Sequence, residues 1–216
     1  MWNLPNIITM ARILISPVIA LLPFIEGYTP KLITLGIFLL AVVSDIWDGH
    51  LARTRNMVTD LGKLLDPVAD KLLLLATLIP IYAISQERQD LYGIPVWGSI
   101  PLWVCLLLLG RELAMTLFRW YAQRRGVIIA ATGSGKLKTT LQSIFIGATI
   151  AWFAFKDAIK PMGWETNRFA LGWTEFHGGF VALTLAIALV LTVYSFVLYL
   201  YRNRGLFSNS SAPTTP

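Results

Sequence analysis

Ser44–Lys71 reads SDIWDGHLARTRNMVTDLGKLLDPVADK and forms a polar hinge between two apolar segments. It holds four aspartates, Asp45, Asp48, Asp66 and Asp70. Asp45 and Asp48 are three residues apart, so on a helix they share a face. Gly49 and Ala52 continue that face with almost no side chain, and Arg53 follows. Gly62, Asp66 and Asp70 are spaced by four and form a second stripe. Helices meeting along these stripes gather four carboxylates, which is strongly unfavourable without cations. Hard divalent cations with oxygen ligands, Mg²⁺ or Mn²⁺, are the natural answer. Four carboxylates suit two metals about 4 Å apart, a device for phosphoryl transfer. Gly49, Ala52 and Gly62 leave room for a flat base and ribose, and the planar fork of Arg53 suits a phosphate. Taken singly, each aspartate reads as a helix cap or an interfacial charge. The matched array of carboxylates and small residues is not accounted for that way.

Six apolar segments surround this hinge: Ile7–Ile25, Leu32–Ile46, Leu64–Ile84, Ile94–Leu117, Leu141–Phe155 and Gly179–Tyr201. Several are near the ~20 residues that cross a bilayer. The second and fifth are short and span only if polar residues extend them. The chain of 216 residues is 56% hydrophobic and 14% charged, against roughly 25% charged in a soluble domain. Its mean hydropathy is +0.63. Both a single soluble core and a disordered chain are excluded. No period-2 alternation is sustained, which argues against a barrel. The expected fold is all-α, a polytopic membrane bundle of six transmembrane helices. Trp2, Pro5 and Asn6 read as an N-terminal interfacial helix leading into the first span, not as a leader peptide. Residues 1–207 are expected to form one membrane domain, and 208–216 (SNSSAPTTP) a disordered tail. Cys105 is the single cysteine, so no intrachain disulfide forms. His50 and His177 are too few for a histidine metal site.

The net charge of +6 reads as membrane anchoring rather than nucleic-acid binding. Arg53, Arg55, Lys63 and Lys71 lie in the second-to-third connection. Arg119, Arg124, Arg125, Lys136 and Lys138 lie in the fourth-to-fifth, and Arg202 and Arg204 close the last segment. The other connections mix signs. By the positive-inside rule both termini and both basic connections face the cytosol, in a cytoplasmic (inner) membrane.

The hinge resembles D-x₂-D-G-x₂-A-R-x₈-G-x₃-D-x₃-D, the signature of the CDP-alcohol phosphatidyltransferases. Asp45, Asp48, Gly49, Ala52, Arg53, Gly62, Asp66 and Asp70 fill all its fixed positions. The resemblance implies transfer of a substituted phosphate from a CDP-linked donor to an alcohol, with release of CMP. It implies that Asp45, Asp48, Asp66 and Asp70 bind two divalent cations, Asp70 doubling as the general base. It also implies that Gly49, Ala52, Arg53 and Gly62 line the CDP site, with Asn6, Thr9 and Thr59 as further donor contacts. A homodimer is the family expectation.

The acceptor is addressed by Gly110–Gln142, GRELAMTLFRWYAQRRGVIIAATGSGKLKTTLQ. Its GSGK is no P-loop: Ala130 and Leu137 stand where that motif needs Gly and Ser/Thr, and no strand precedes it. The string R-E-x₆-R…G-K-x-K-T-x₂-Q, with the early NLPNIIT, resembles the phosphatidylglycerophosphate synthases of this family. That implies CDP-diacylglycerol and glycerol 3-phosphate as substrates, membrane lipids around them, and Arg111, Arg119, Lys136 and Lys138 on the acceptor phosphate. The alternative for these cations is membrane anchoring plus an intramembrane Arg–Glu pair. Two other functions fit less of the pattern. One is the same chemistry with another acceptor, as in cardiolipin or phosphatidylinositol-phosphate synthases. The other is a divalent-cation transporter, in which Gly49, Ala52 and Arg53 have no obvious task.

Overall fold

The structure is a computed structural model that describes residues 3–55, 59–124 and 133–204, without the side chains of 52, 53, 60, 63 and 133–136. The expected tail, 208–216, lies outside the described residues. The elements are α1 (Leu4–Leu21), α2 (Tyr28–Thr54), α3 (Asp60–Glu87), a short α4 (Gln89–Tyr92), α5 (Leu102–Arg124), α6 (Gly133–Ile159) and α7 (Arg168–Arg202). Among the described residues the only β pairing is an isolated bridge, Ile94 to Gly98.

Capping residues set the starts. The Asn3 side chain accepts the Asn6 N–H, Thr59 accepts that of Gly62, and Asn167 accepts those of Phe169 and Ala170. Each satisfies donors that have no partner in a first turn. A single 3-10 turn, Leu22–Phe24, follows α1. Gly27 then enters α2 at φ +96°, a left-handed conformation that favours glycine. The expected interfacial helix is not a separate element. Asn3 caps α1 and the helix runs unbroken from Leu4, with Pro5 in its first turn, where a missing N–H costs nothing.

Six long helices match the six apolar segments. Among the described residues, four stretches are long and apolar enough to cross a membrane: Leu4–Phe24, Tyr28–Leu51, Leu64–Glu87 and Arg168–Arg202. The remaining two, α5 and α6, have 23 and 27 residues, but polar and charged residues such as Arg111, Glu112, Gln142 and Asp157 interrupt them. The second and fifth segments are short only as apolar runs. As helices, polar residues extend both of them.

Along its length α1 packs on α3 and α2; α6 packs on α2 and α7, and α5 touches α3 and α7. The shared core includes Phe38, Leu78, Ile81, Val104, Leu108, Phe145, Phe153, Val181 and Leu185. Leu14, Leu40, Val43, Leu64, Val190 and Val197 instead point outward, while Asn6, Thr9, Arg12 and Ser16 are buried along α1. This apolar-out, polar-in arrangement is what a hydrocarbon solvent imposes. The protein is an integral membrane protein.

Candidate active site

The polar face of α1 draws the aspartates together. Arg12, 3% exposed, lies between α2 and α3. Its Nη1 donates to Asp45 Oδ1 and, at 3.4 Å, to Asp70 Oδ1; its Nη2 donates to Asp48 Oδ2 at 3.3 Å. One turn earlier, the Thr9 hydroxyl lies 3.0 Å from Asp66 Oδ1 and 3.5 Å from Asp48 Oδ2. All four aspartates of the two stripes thus meet one helix. Asp48 is buried, while the side chains of Asp45 and Asp70 are 44% and 61% exposed.

A second group ties the start of α3 to α1. Asn6 Nδ2 donates to Thr59 Oγ1 at 2.9 Å, and Thr59 Oγ1 lies 3.1 Å from Asn6 Oδ1. A Cβ on Gly62 would stand 2.8 Å from Asn6 Oδ1 and 3.2 Å from Thr59 Oγ1. Gly62 therefore leaves space for the paired Asn6 and Thr59 side chains, which a larger residue would displace, a packing reason beside the nucleotide reading of the sequence. Gly49 sits on α2 one residue beyond Asp48. The side chains of Ala52, Arg53 and Lys136 lie outside the described residues.

A cavity of about 550 Å³ opens from the aspartates. Arg12, Asp45, Asp70 and Lys71 line one end; Glu112, Lys138, Gln142 and Ser143 line a second polar wall; Phe38, Leu39, Val42, Ile146 and Phe180 line an apolar part. Such a space matches a ligand with a charged head and an apolar body.

The expected acceptor cations divide. Lys138 is 2% exposed, lines the cavity, and donates to Glu112 Oε1. Arg111 bonds the same Glu112 oxygen at 2.9 Å and Ser195 on α7 at 3.0 Å, and does not line the cavity. Arg119 is exposed on α5 and is not a lining residue either. Glu112 thus supplies the charge that makes two buried cations tolerable.

Sequence reasoning passed over Arg12 and Lys71. A lone arginine within the first apolar segment was the available signal, since charges inside a span are costly and are kept for a purpose. Lys71, next to Asp70, reads as an anchor in sequence but faces the cavity.

The donor set fits divalent cations by its chemistry. Four carboxylates against one guanidinium leave a formal excess of three negative charges, and Asp45 and Asp70 present oxygens to open space. As the side chains stand, Arg12 lies among the carboxylates, and no three acidic, histidine or cysteine groups among the described residues are gathered to ligand distance.

Comparison with known proteins identifies the family. Residues 2–201 match the family model of the CDP-alcohol phosphatidyltransferases. The chain is 39% identical over 148 residues to the "Probable phosphatidylglycerophosphate synthase" of Mycobacterium tuberculosis. That match covers 67% of this chain and 64% of the relative, under two thirds of its length. It is 36% identical over 205 residues to the CDP-diacylglycerol–glycerol-3-phosphate 3-phosphatidyltransferase of Bacillus subtilis, covering 85% of this chain and 98% of the relative. A protein of that same name from Rickettsia typhi is 36% identical over 150 residues, 69% of this chain and 77% of the relative. Members of this family depend in general on divalent metals. The match over nearly the whole chain, together with a filled eight-residue signature whose Asp45 and Asp70 line the cavity, places this protein in the CDP-alcohol phosphatidyltransferase family.

Proposed function

We propose that the protein is a phosphatidylglycerophosphate synthase, moving the phosphatidyl group of CDP-diacylglycerol onto glycerol 3-phosphate and releasing CMP. The observation that carries this reading is the cavity, which joins the exposed carboxylates of Asp45 and Asp70 to a wall with Lys138 and to an apolar region. The names borne by the Bacillus and Rickettsia relatives support the same substrates.

On this reading Asp45, Asp48, Asp66 and Asp70 hold two divalent cations, Mg²⁺ or Mn²⁺. These supply neutralisation of the diphosphate and of the departing CMP. Asp70 takes the acceptor's hydroxyl proton as the hydroxyl oxygen bonds to the lipid-bearing phosphorus. The P–O bond to CMP breaks, and CMP leaves with its own phosphate. Asn6, Thr9, Gly49, Ala52, Arg53, Thr59 and Gly62 form the donor's nucleotide side. Lys138 and Lys136 attract the acceptor phosphate, with Arg111 acting through Glu112 and Arg119 at the rim. The donor's acyl chains stay with the apolar wall and the bilayer. The site and both termini face the cytosol of a cytoplasmic membrane, and the enzyme works as a homodimer.

CMP release from purified protein, measured with Mg²⁺ or Mn²⁺ and a panel of acceptors, tests the reading. Glycerol 3-phosphate is expected to be the active one. Activity with phosphatidylglycerol or inositol phosphate instead would keep the family chemistry and discard this acceptor. No CMP with any metal and acceptor would discard the enzyme reading.

A further inference from the structure

A buried polar side chain on the cavity wall, Gln142, has no task in the scheme above. Gln142 lies one turn beyond Lys138 on α6, so the two share a face. It is 5% exposed, lines the cavity, and makes no hydrogen bond to any described residue. Buried amides are almost always paired, because an unpaired one forfeits its hydration without return. A side chain left open toward a cavity is therefore set for a ligand.

Its chemistry limits which ligand group that is. Arg111 and Lys138 leave one positive charge beyond that of Glu112 at this wall, and Gln142 adds none. A carboxamide offers two donors and an acceptor oxygen. A phosphate uses only the donors and an ester carbonyl does the same. A hydroxyl, which gives and takes a hydrogen bond, uses both. The cavity that Gln142 faces is also the one that Asp45 and Asp70 face.

We propose that Gln142 is a specificity-determining residue that hydrogen-bonds the non-reacting hydroxyl of a polyol phosphate acceptor. This rests on the acceptor reading above. Lys138 draws in the anionic end, the reacting hydroxyl turns to Asp70, and Gln142 takes the hydroxyl between. Recognition of a hydroxyl by a buried polar partner discriminates strongly against analogues that lack it.

The test compares glycerol 3-phosphate with 3-hydroxypropyl phosphate, which lacks the middle hydroxyl, in the wild type, Gln142→Leu and Gln142→Asn, by CMP release. The wild type is expected to favour glycerol 3-phosphate by about tenfold or more in kcat/KM, the scale of one or two hydrogen bonds. Gln142→Leu should raise the KM for glycerol 3-phosphate about tenfold, leave the KM for CDP-diacylglycerol unchanged, and treat the two acceptors nearly alike. Gln142→Asn, which keeps the amide, should recover part of the preference. An unchanged acceptor ratio in Gln142→Leu, or a rise in the donor KM instead, overturns the proposal. So does a wild type indifferent to the missing hydroxyl, a result that needs no variant to fold. A wild type active only on alcohols other than glycerol 3-phosphate overturns the acceptor reading itself, and this inference with it.

Discussion

At the residue scale, two groups in the carboxylate cluster have opposite tasks. Asp70 is largely exposed to the cavity and meets Arg12 only at 3.4 Å, so its carboxylate is accessible to an acceptor. Asp70→Asn keeps the shape and, on the proposed mechanism, removes the base. CMP release should fall by about 10²-fold or more, while titration with a CDP-containing donor still shows binding. Retained turnover would place the base elsewhere. Arg12 is buried and serves as the internal cation of the cluster. Replacing it with Gln leaves the carboxylates to repel one another, a loss of about 3 kcal/mol on the scale of a broken buried pair. The metal-free variant should therefore melt earlier than the wild type in detergent. Added Mg²⁺ should raise its melting temperature more than that of the wild type, because the cation then supplies the missing charge. An unchanged metal-free melting temperature would show that Arg12 does not stabilise the cluster.

At the element scale, α2 carries a charged contact near each end. Asp45 and Asp48 meet α1 near its C-terminus, and Lys31 sits near its N-terminus, about 21 Å away at 1.5 Å per residue. Lys31 is 3% exposed and donates to Asp157 Oδ2 on α6 at 2.6 Å. Tyr92 of α4 donates its hydroxyl to the other oxygen of Asp157. Burial first, and then the Asp157 carboxylate, push the Tyr92 hydroxyl above its ordinary range, so it stays a donor at neutral pH. This tie joins α2, α4 and α6 far from the aspartates. Lys31→Met strands the Asp157 charge and should cost about 3–5 kcal/mol, read as a lower melting temperature in detergent. The KM values of whatever protein remains folded should change little. The contact between α5 and α6 is built on the same logic, with Glu112 holding Arg111 and Lys138.

At the scale of the whole molecule, the exterior is apolar and the interior holds the charge. Hydrocarbon gives no reward for burying leucine, so polar contacts and close packing decide how the helices meet. The cavity lies where five helices, α1, α2, α3, α5 and α6, bring charged groups together, and Phe180 of α7 completes its lining. The four aspartates around Arg12 carry a formal excess of three negative charges, and on the proposed reading divalent cations balance it. Chelation with EDTA should abolish CMP release and lower the melting temperature. Restoring Mg²⁺ or Mn²⁺ should reverse both, and Na⁺ at matched ionic strength should not. Activity that survives chelation would remove the metals from the mechanism.

Much of this was legible in the chain. The apolar blocks set the helical class, and the spacing of Asp45, Asp48, Asp66 and Asp70 told which faces of α2 and α3 carry the carboxylates, although α1 and not a direct α2–α3 contact brings them together. Both follow from local periodicity, which sequence carries directly. The rest depended on which helix fills the space between those faces. Nothing local told that α1 lies there, bringing Arg12 and Thr9 onto the aspartates. Nor did it tell that Gly62 is small because Asn6 stands 2.8 Å from where its Cβ would be. The cations of α5 and α6 read as one phosphate grip in sequence, yet Glu112 pairs with Arg111 and Lys138, and only Lys138 of the described ones reaches the cavity. Spacing along one helix fixes a face, whereas charge pairing between helices depends on their docking. Sequence by itself determined the helical class and the helix faces that carry the aspartates, and tertiary structure decided their counter-ion, Arg12, and the walls of the cavity, because contacts between helices exist only once the helices dock.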